Sequence, residues 1–282
     1  MLDPMAEHRQ RLLIACPDAS GIIGAVASHI GAIGGNILEA DQHTDPDERA
    51  FYMRIEYEHD SDLGDGWIQI ADRYRMTWRL ESAARRRRVA ILVSKDTHCL
   101  ADLLWRWSIK ELDADIPLVI SNHEAGRSIT ESLGVRFDHT PIDNDKSAQE
   151  RAVMDVLRRE NIDLVVLARY MQILSPGFVG AYTDRIINIH HSFLPAFAGA
   201  SPYRQAFDRG VKIIGATSHY VTEDLDEGPI IAQDTAHVTH RDTVDDLVRK
   251  GRDLERVVLA RAVRLHLEDK ILRAGAKTVV FD

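Results

Sequence analysis

Asn188 and His190 stand two residues apart in the run IINIH, and Asp226 lies in the acidic turn that ends the next apolar run, IIGATSHYVT, and is closed by Gly228 and Pro229. Side chains alternate along a strand, so Asn188 and His190 share one face while Ile187 and Ile189 take the other. The Ser-Phe-Leu-Pro sequence that begins at Ser192 breaks the run, which puts the pair at a strand end beside a loop. An amide, an imidazole and a carboxylate converging there supply an oxyanion donor, a proton carrier and a group that orients or deprotonates water. Such a set suits attack on a carbonyl. Taken singly, each residue reads as an ordinary polar group at a strand end; the ensemble carries the functional reading.

A covalent route is not expected, because neither Ser192 nor Cys99 has a base partner near it in sequence. Nor is a metal expected. The 13 histidines include no pair at HxxxH spacing, CxxC does not occur, and the adjacent His190 and His191 are expected on opposite faces of their strand. His191 and His219 read as buried, hydrogen-bonded histidines or as supporting donors.

The elements that must position these residues follow from the patterning. The 282 residues suffice for two domains, and 45% hydrophobic with 28% charged residues is the balance of a globular chain. A net charge of −9 argues against a nucleic-acid partner, and no apolar run reaches bilayer length, so no membrane partner is expected. MLDPMAEHRQ shows no secretory pattern, and two distant cysteines, Cys16 and Cys99, suit a reducing compartment; the expected location is cytoplasmic.

The segment 9–80 reads strand, helix, strand, strand, helix, strand, the ferredoxin-like βαββαβ order. Its first helix carries Ile22, Ile23, Val26, Ile30 and Ile33 on one face, with Ser20 as N-cap and Gly34–Gly35 as the stop. Four arginines at 85–88 read as a solvated linker. From 89 on, apolar strands alternate with helical stretches, which predicts an open, largely parallel Rossmann-like α/β sheet with ligands at the carboxyl ends of its strands. The segment 242–270 reads as a long helix across that sheet, apolar at Val244, Leu247, Leu254, Val257, Val258 and Val263.

The string NIHHSFLP…GASPYRQAFDRGVKIIGATSHYVTEDLDEGPII resembles the formyl-transfer domain of the 10-formyltetrahydrofolate enzymes and, among them, the deformylases, over nearly the whole chain. The resemblance implies residues 89–282 as a catalytic domain of formyltransferase fold, with Asn188, His190 and Asp226 as the catalytic trio. It also implies a folate pocket from LARYMQIL: Tyr170, Met171, Gln172 and Leu174, with His219 nearby, the backbone near Met171–Leu174 reading the pterin edge. The reaction implied is hydrolysis of 10-formyltetrahydrofolate to formate and tetrahydrofolate, with folate as substrate, no cofactor, and formate passing to one-carbon and purine metabolism. The tract CPDASGIIGAVASHIGAIGGNI makes residues 1–84 resemble an ACT domain, a regulatory or assembly module. That implies a homo-oligomer and an amino-acid effector, glycine or methionine, at Asp18, Gly21 and Asn36. Ala19 stands where the family's usual basic residue would be.

Two alternatives remain in the sequence. A formyltransferase with a phosphorylated amine acceptor should carry a glycine-rich turn after the first strand of the second domain. Here RVAILVS runs into KDTHCLADLLWRW, without glycine from 89 to 125, and the VSK…HCLADLL tract again resembles the deformylases. A noncatalytic folate or amino-acid sensor would not need all three polar groups.

Overall fold

The computed structural model describes residues 8–59, 62–142, 145–195 and 202–282. The N-terminal tract read for a secretory pattern falls largely outside these, as do 196–201 in the middle of the formyl-transfer string. Two compact units make up the chain: one runs to Arg86 and takes in Glu268–Asp282, the other is Arg87–Leu267.

The first unit follows the order β1 (Arg9–Pro17), α1 (Ile22–Ala32), β2 (Asn36–Asp45), β3 (Ala50–Glu58), α2 (Asp65–Tyr74) and β4 (Thr77–Ser82). Its antiparallel sheet runs β2-β3-β1-β4, the split βαβ arrangement expected. Alternation along β1 and β3 sends Leu12, Ile14, Cys16, Phe51, Met53, Ile55 and Tyr57 into one core with Ile22, Val26, Ile30 and Trp67. Two details of α1 differ from expectation. Gly21, at φ 89, is the N-cap in place of Ser20, and Ile23 is exposed, since only the i, i+4, i+8 set reaches the core. Gly34, at φ 84, lies just past the helix end as expected.

Residues 268–282 were expected in the second domain and instead belong to the first unit, where β12 (Ile271–Ala274) and β13 (Lys277–Val280) form a hairpin. The reason is electrostatic. Arg54 is 1% exposed and needs several acceptors: Glu39, Glu56 at 2.7 Å and the Glu268 carbonyl at 3.2 Å, while Asp269 pairs with Arg11 at 3.4 Å. The arginine run is likewise corrected. Arg87 and Arg88 open a strand of the second unit, where Arg88 bonds Asp115 at 2.6 Å and the Glu160 carbonyl at 2.6 Å.

The second unit contains β5 (Arg87–Val93), α3 (His98–Ser108), β6 (Ala114–Ser121), α4 (Arg127–Ser132), β7 (Arg136–His139), α5 (Lys146–Arg159) and β8 (Leu164–Leu167). There follow α6 (Pro176–Ala181), β9 (Ile186–His190), α7 (Pro202–Arg209), β10 (Ile213–Tyr220), β11 (Ile230–His237) and α8 (Val244–Leu267). The seven-stranded sheet runs β11-β10-β9-β8-β5-β6-β7. Strands β5 to β9 pair in parallel, and β10 and β11 continue antiparallel, so the sheet is mixed and largely parallel. All four residues of β8 are buried, as expected for a strand covered on both faces. Helix α8 packs over β10 and β11 and against α3, with Leu247, Val258, Leu259 and Val263 buried; Val257, expected on that face, is half exposed.

Candidate functional site

Strand β9 delivers Asn188 and His190 to the sheet's carboxyl edge, where antiparallel β10 meets it with Asn188 opposite His219 and His190 opposite Thr217. The break after β9 is held by Thr217. Its hydroxyl donates to the Ser192 carbonyl at 2.9 Å and accepts from the Leu194 amide at 3.0 Å and from Gln233 Nε2 at 2.9 Å. Gly215 leaves room for Phe193, whose Cβ would lie 2.8 Å from any Cβ at position 215.

The turn between β10 and β11 brings Asp226 back to this edge. Asp226 adopts a left-handed φ of 58, and Gly228 presses on the end of β10, where an added Cβ would come within 1.7 Å of the Tyr220 carbonyl oxygen. Asp226 Oδ2 then lies 3.2 Å from His190 Nδ1, and Oδ1 lies 3.7 Å from His219 Nε2. Hydrogen bonding to His190, and then to His219, holds the Asp226 carboxyl well below the usual carboxylate range despite partial burial.

His219 is 2% exposed, and its Nδ1 lies 2.9 Å from the Tyr220 carbonyl, which can only accept. Its Nε2 is 3.2 Å from the Asn188 amide nitrogen. With Nδ1–H donated to that carbonyl, Nε2 accepts from Asn188 and faces Asp226, so the ring links amide and carboxylate. His190 Nε2 is buried with no partner among the described residues.

These residues line a cavity of about 300 Å³ with Tyr170, Met171, Gln172, Leu174 and the 221–226 turn. Every residue assigned to the trio or the folate pocket thus borders one space. The tract after β8 leaves strand geometry at Arg169, φ 65, and is pinned by backbone bonds: the Met171 amide to Ser94 Oγ at 3.1 Å and the Ile173 carbonyl to Lys146 Nζ at 2.6 Å. Tyr170 is a wall with a committed hydroxyl, 3.0 Å from Gln149 Nε2. Asp18, Gly21 and Asn36 lie in the first unit, Asp18 bonding the Arg49 carbonyl through its amide at 2.8 Å and Gly21 capping α1.

His191 differs from expectation. The strand ends at His190, alternation ends with it, and the two rings stack with centroids 5.1 Å apart and planes 20° apart. His191 Nδ1 lies 2.6 Å from Arg169 Nη1; burial first, then that guanidinium, pushes the imidazole down to about 4, so it accepts as a neutral ring. Behind it sits Glu255, 1% exposed, which sequence reading missed. It lies 3.5 Å from Arg169 Nε, accepts from Tyr203 Oη at 2.6 Å, and bonds His98 Nε2 at 2.9 Å. Burial raises its carboxyl pKa, but the His98 bond and the Arg169 charge outweigh burial and set it below the ordinary value. The only advance signal was an acidic residue at a core-facing position of α8.

Among the described residues, His98, Cys99 and Glu255 place possible metal-ligand atoms within 4.8 Å of one another. The carboxylate there is already committed to Arg169, His98 and Tyr203. Burial pushes the Cys99 thiol well above its ordinary value, which also makes it a poor nucleophile.

Comparison with known proteins gives the family. The family model described as formyl transferase matches residues 87–263, nearly all of the second unit. A formyltetrahydrofolate deformylase of Synechocystis sp. is 53% identical over 277 residues, covering 96% of this chain and 97% of its own. The crystal structure of a formyltetrahydrofolate deformylase from Pseudomonas syringae superposes with a TM-score of 0.94 at 48% identity, covering 97% of this chain and 95% of that one. Glycinamide ribonucleotide transformylase 1 from Symbiobacterium toebii matches at a TM-score of 0.67 and 33% identity, covering 70% of this chain and 95% of its own. Full-length identity to the first two and partial coverage by the third give one conclusion: the chain belongs to the formyltetrahydrofolate deformylase family of the formyl transferases.

Proposed function

We propose that Asn188, His190 and Asp226 are the groups with which this chain hydrolyses 10-formyltetrahydrofolate to formate and tetrahydrofolate. The observation that carries the assignment is the 3.2 Å contact between Asp226 and His190 at a cavity that Asn188 also lines. Water enters beside Asp226, which orients it and takes its proton as oxygen attacks the formyl carbon. Asn188 Nδ2–H and the Nε2–H of a protonated His190 ring stabilise the oxyanion. The C–N10 bond then breaks, and the Asp226–His190 pair returns the proton to N10, so proton uptake and release balance. Tyr170, Met171, Gln172 and Leu174 hold the pterin side. Folate is the substrate, and no cofactor takes part.

Gly228→Ala tests the positioning of Asp226 without touching a reacting group. An added methyl cannot fit against the Tyr220 carbonyl, so the turn shifts. Formate release should fall more than about tenfold, with a loss of about 1–3 kcal/mol in unfolding free energy. Unchanged kinetics in that variant would show that Asp226 need not sit where the turn holds it.

The first unit acts, in the same reading, as an ACT-like module that assembles the protein into a homo-oligomer and senses glycine or methionine at the Asp18–Gly21 turn and Asn36. Its βαββαβ order supports the fold likeness. Titrating each amino acid against formate release by the full-length protein should shift the apparent substrate affinity by about 5- to 150-fold. No change in rate, affinity or oligomeric state with either would reduce the unit to assembly alone.

A further inference from the structure

In an open α/β sheet, the ligand crevice lies beyond the carboxyl ends of the strands where strand order reverses. Here the chain passes from β5 through β6 to β7 on one side and from β8 to β9 on the other, so the reversal falls between β5 and β8. The turn after β5 carries Asp96, and the residue just beyond Ala168 at the end of β8 is Arg169. Among the described residues, side chains bridge the space between them. Arg169 reaches across it to Asp96 at 3.3 Å, and its Nε faces the buried Glu255 at 3.5 Å. Arg252, one turn before Glu255 on α8, lies 3.6 Å from the other Asp96 oxygen. Glu255 is held from the remaining sides by His98 and Tyr203, and the Tyr203 ring leaves no room for a Cβ at Gly251, which would come within 2.0 Å of its hydroxyl.

The cavity of the candidate site therefore lies to one side of the reversal. Its lining comes from 167–174, 188–191, His219 and 221–226, and none of the described lining residues belongs to the Ser94–His98 turn. Arg169 and His191 form its wall towards β5. The His191 ring, fixed by Arg169, covers one face of His190. Moving that wall would strip the buried Glu255 of its cationic partner, which is strongly unfavourable.

We propose that this cluster occupies the place of an acceptor subsite: Arg169, locked by Glu255 and Asp96, holds His191 across the path by which an amine would reach the formyl carbon, and thereby restricts the nucleophile to water. The inference rests on the hydrolytic reading above. In the excluded reaction an amine nitrogen bonds to the formyl carbon, the C–N10 bond breaks, and the proton lost by the amine goes to N10, giving a formamide and tetrahydrofolate. No further reactant is needed, so product partitioning measures the exclusion directly.

The test uses 10-formyltetrahydrofolate, full-length protein and glycinamide as a small primary-amine probe, with N-formylglycinamide and formate quantified together. Their ratio does not depend on how much of a variant is folded. The double variant Arg169→Gly with Glu255→Gln removes both charges at once, and glycine accepts the φ of 65 at position 169. Asp96→Ala, at a half-exposed position, loosens the same wall with less disturbance. The ratio should rise at least about tenfold in the double variant, and less in Asp96→Ala, over a wild-type value at the detection limit. Continued formate release with an unchanged ratio overturns the inference; so does a wild-type protein that formylates glycinamide as readily as the variants. If the double variant does not turn over, Asp96→Ala decides alone, and an unchanged ratio there is contrary. Wild-type protein that releases no formate in the absence of glycinamide contradicts the hydrolytic reading itself, and the inference with it.

Discussion

Asp226→Asn should bind folate nearly as the wild type does while releasing formate about 100-fold more slowly or worse. Asparagine keeps the size of the side chain and accepts the left-handed φ of 58 at this position, so the turn persists. It cannot take a proton from water, and it offers His190 Nδ1 a neutral acceptor in place of a charge. Tetrahydrofolate binding by calorimetry, measured beside formate release, separates the two effects; near-wild-type turnover would remove Asp226 from the mechanism. The same pair has a thermodynamic sign. The folded-state pKa of Asp226 is depressed, so the interaction adds stability above the unfolded value of about 3.9, and that stability is lost as pH falls below it. The stability difference between wild type and Asp226→Asn should therefore shrink on acidification below about pH 4.

His190→Ala and Asn188→Ala should each lower turnover by about 100-fold, and the double variant should lose less than the product of the two. In the proposed mechanism both groups act on one developing oxyanion, so removing the second after the first should cost less. They are also tied structurally, because Asn188 is held by His219, and His219 and His190 face the two oxygens of the same carboxylate. A double-mutant cycle on kcat reads the coupling; full additivity would assign the two residues independent roles.

The parts of the site legible in the sequence were those written in short tracts. Alternation in IINIH put Asn188 and His190 together, and DLDEGP marked a turn whose glycine proved sterically obligatory. Polar Arg169 and Gln172 interrupt an apolar tract where β8 ends and a pocket wall begins. Less legible were features assembled from distant segments. The Arg169–Glu255 ion pair joins residues 86 apart, and with Asp96, His98 and Tyr203 it draws on the β5–α3 turn, α3, α7 and α8, which no local period relates. The stacking of His191 on His190 was hidden because alternation fails at the residue where a strand stops. The antiparallel direction of β10, and the existence of β11, depend on a connection whose acidic turn was visible but whose pairing was not. The C-terminal hairpin was missed because Arg54 and Arg11, which call for Glu268 and Asp269, lie more than 200 residues upstream.

In the proposed mechanism the Asn188, His190 and Asp226 site hydrolyses the formyl group with water as acceptor. The most direct measurement follows formate and tetrahydrofolate together from 10-formyltetrahydrofolate in amine-free buffer, with the wild-type chain and the triple variant Asn188→Ala/His190→Ala/Asp226→Asn side by side. The wild type should give equimolar products through many turnovers, and a triple variant that still binds tetrahydrofolate should give none above background. Formate release by the triple variant at the wild-type rate, or no formate from the wild type until an amine is added, would contradict this mechanism.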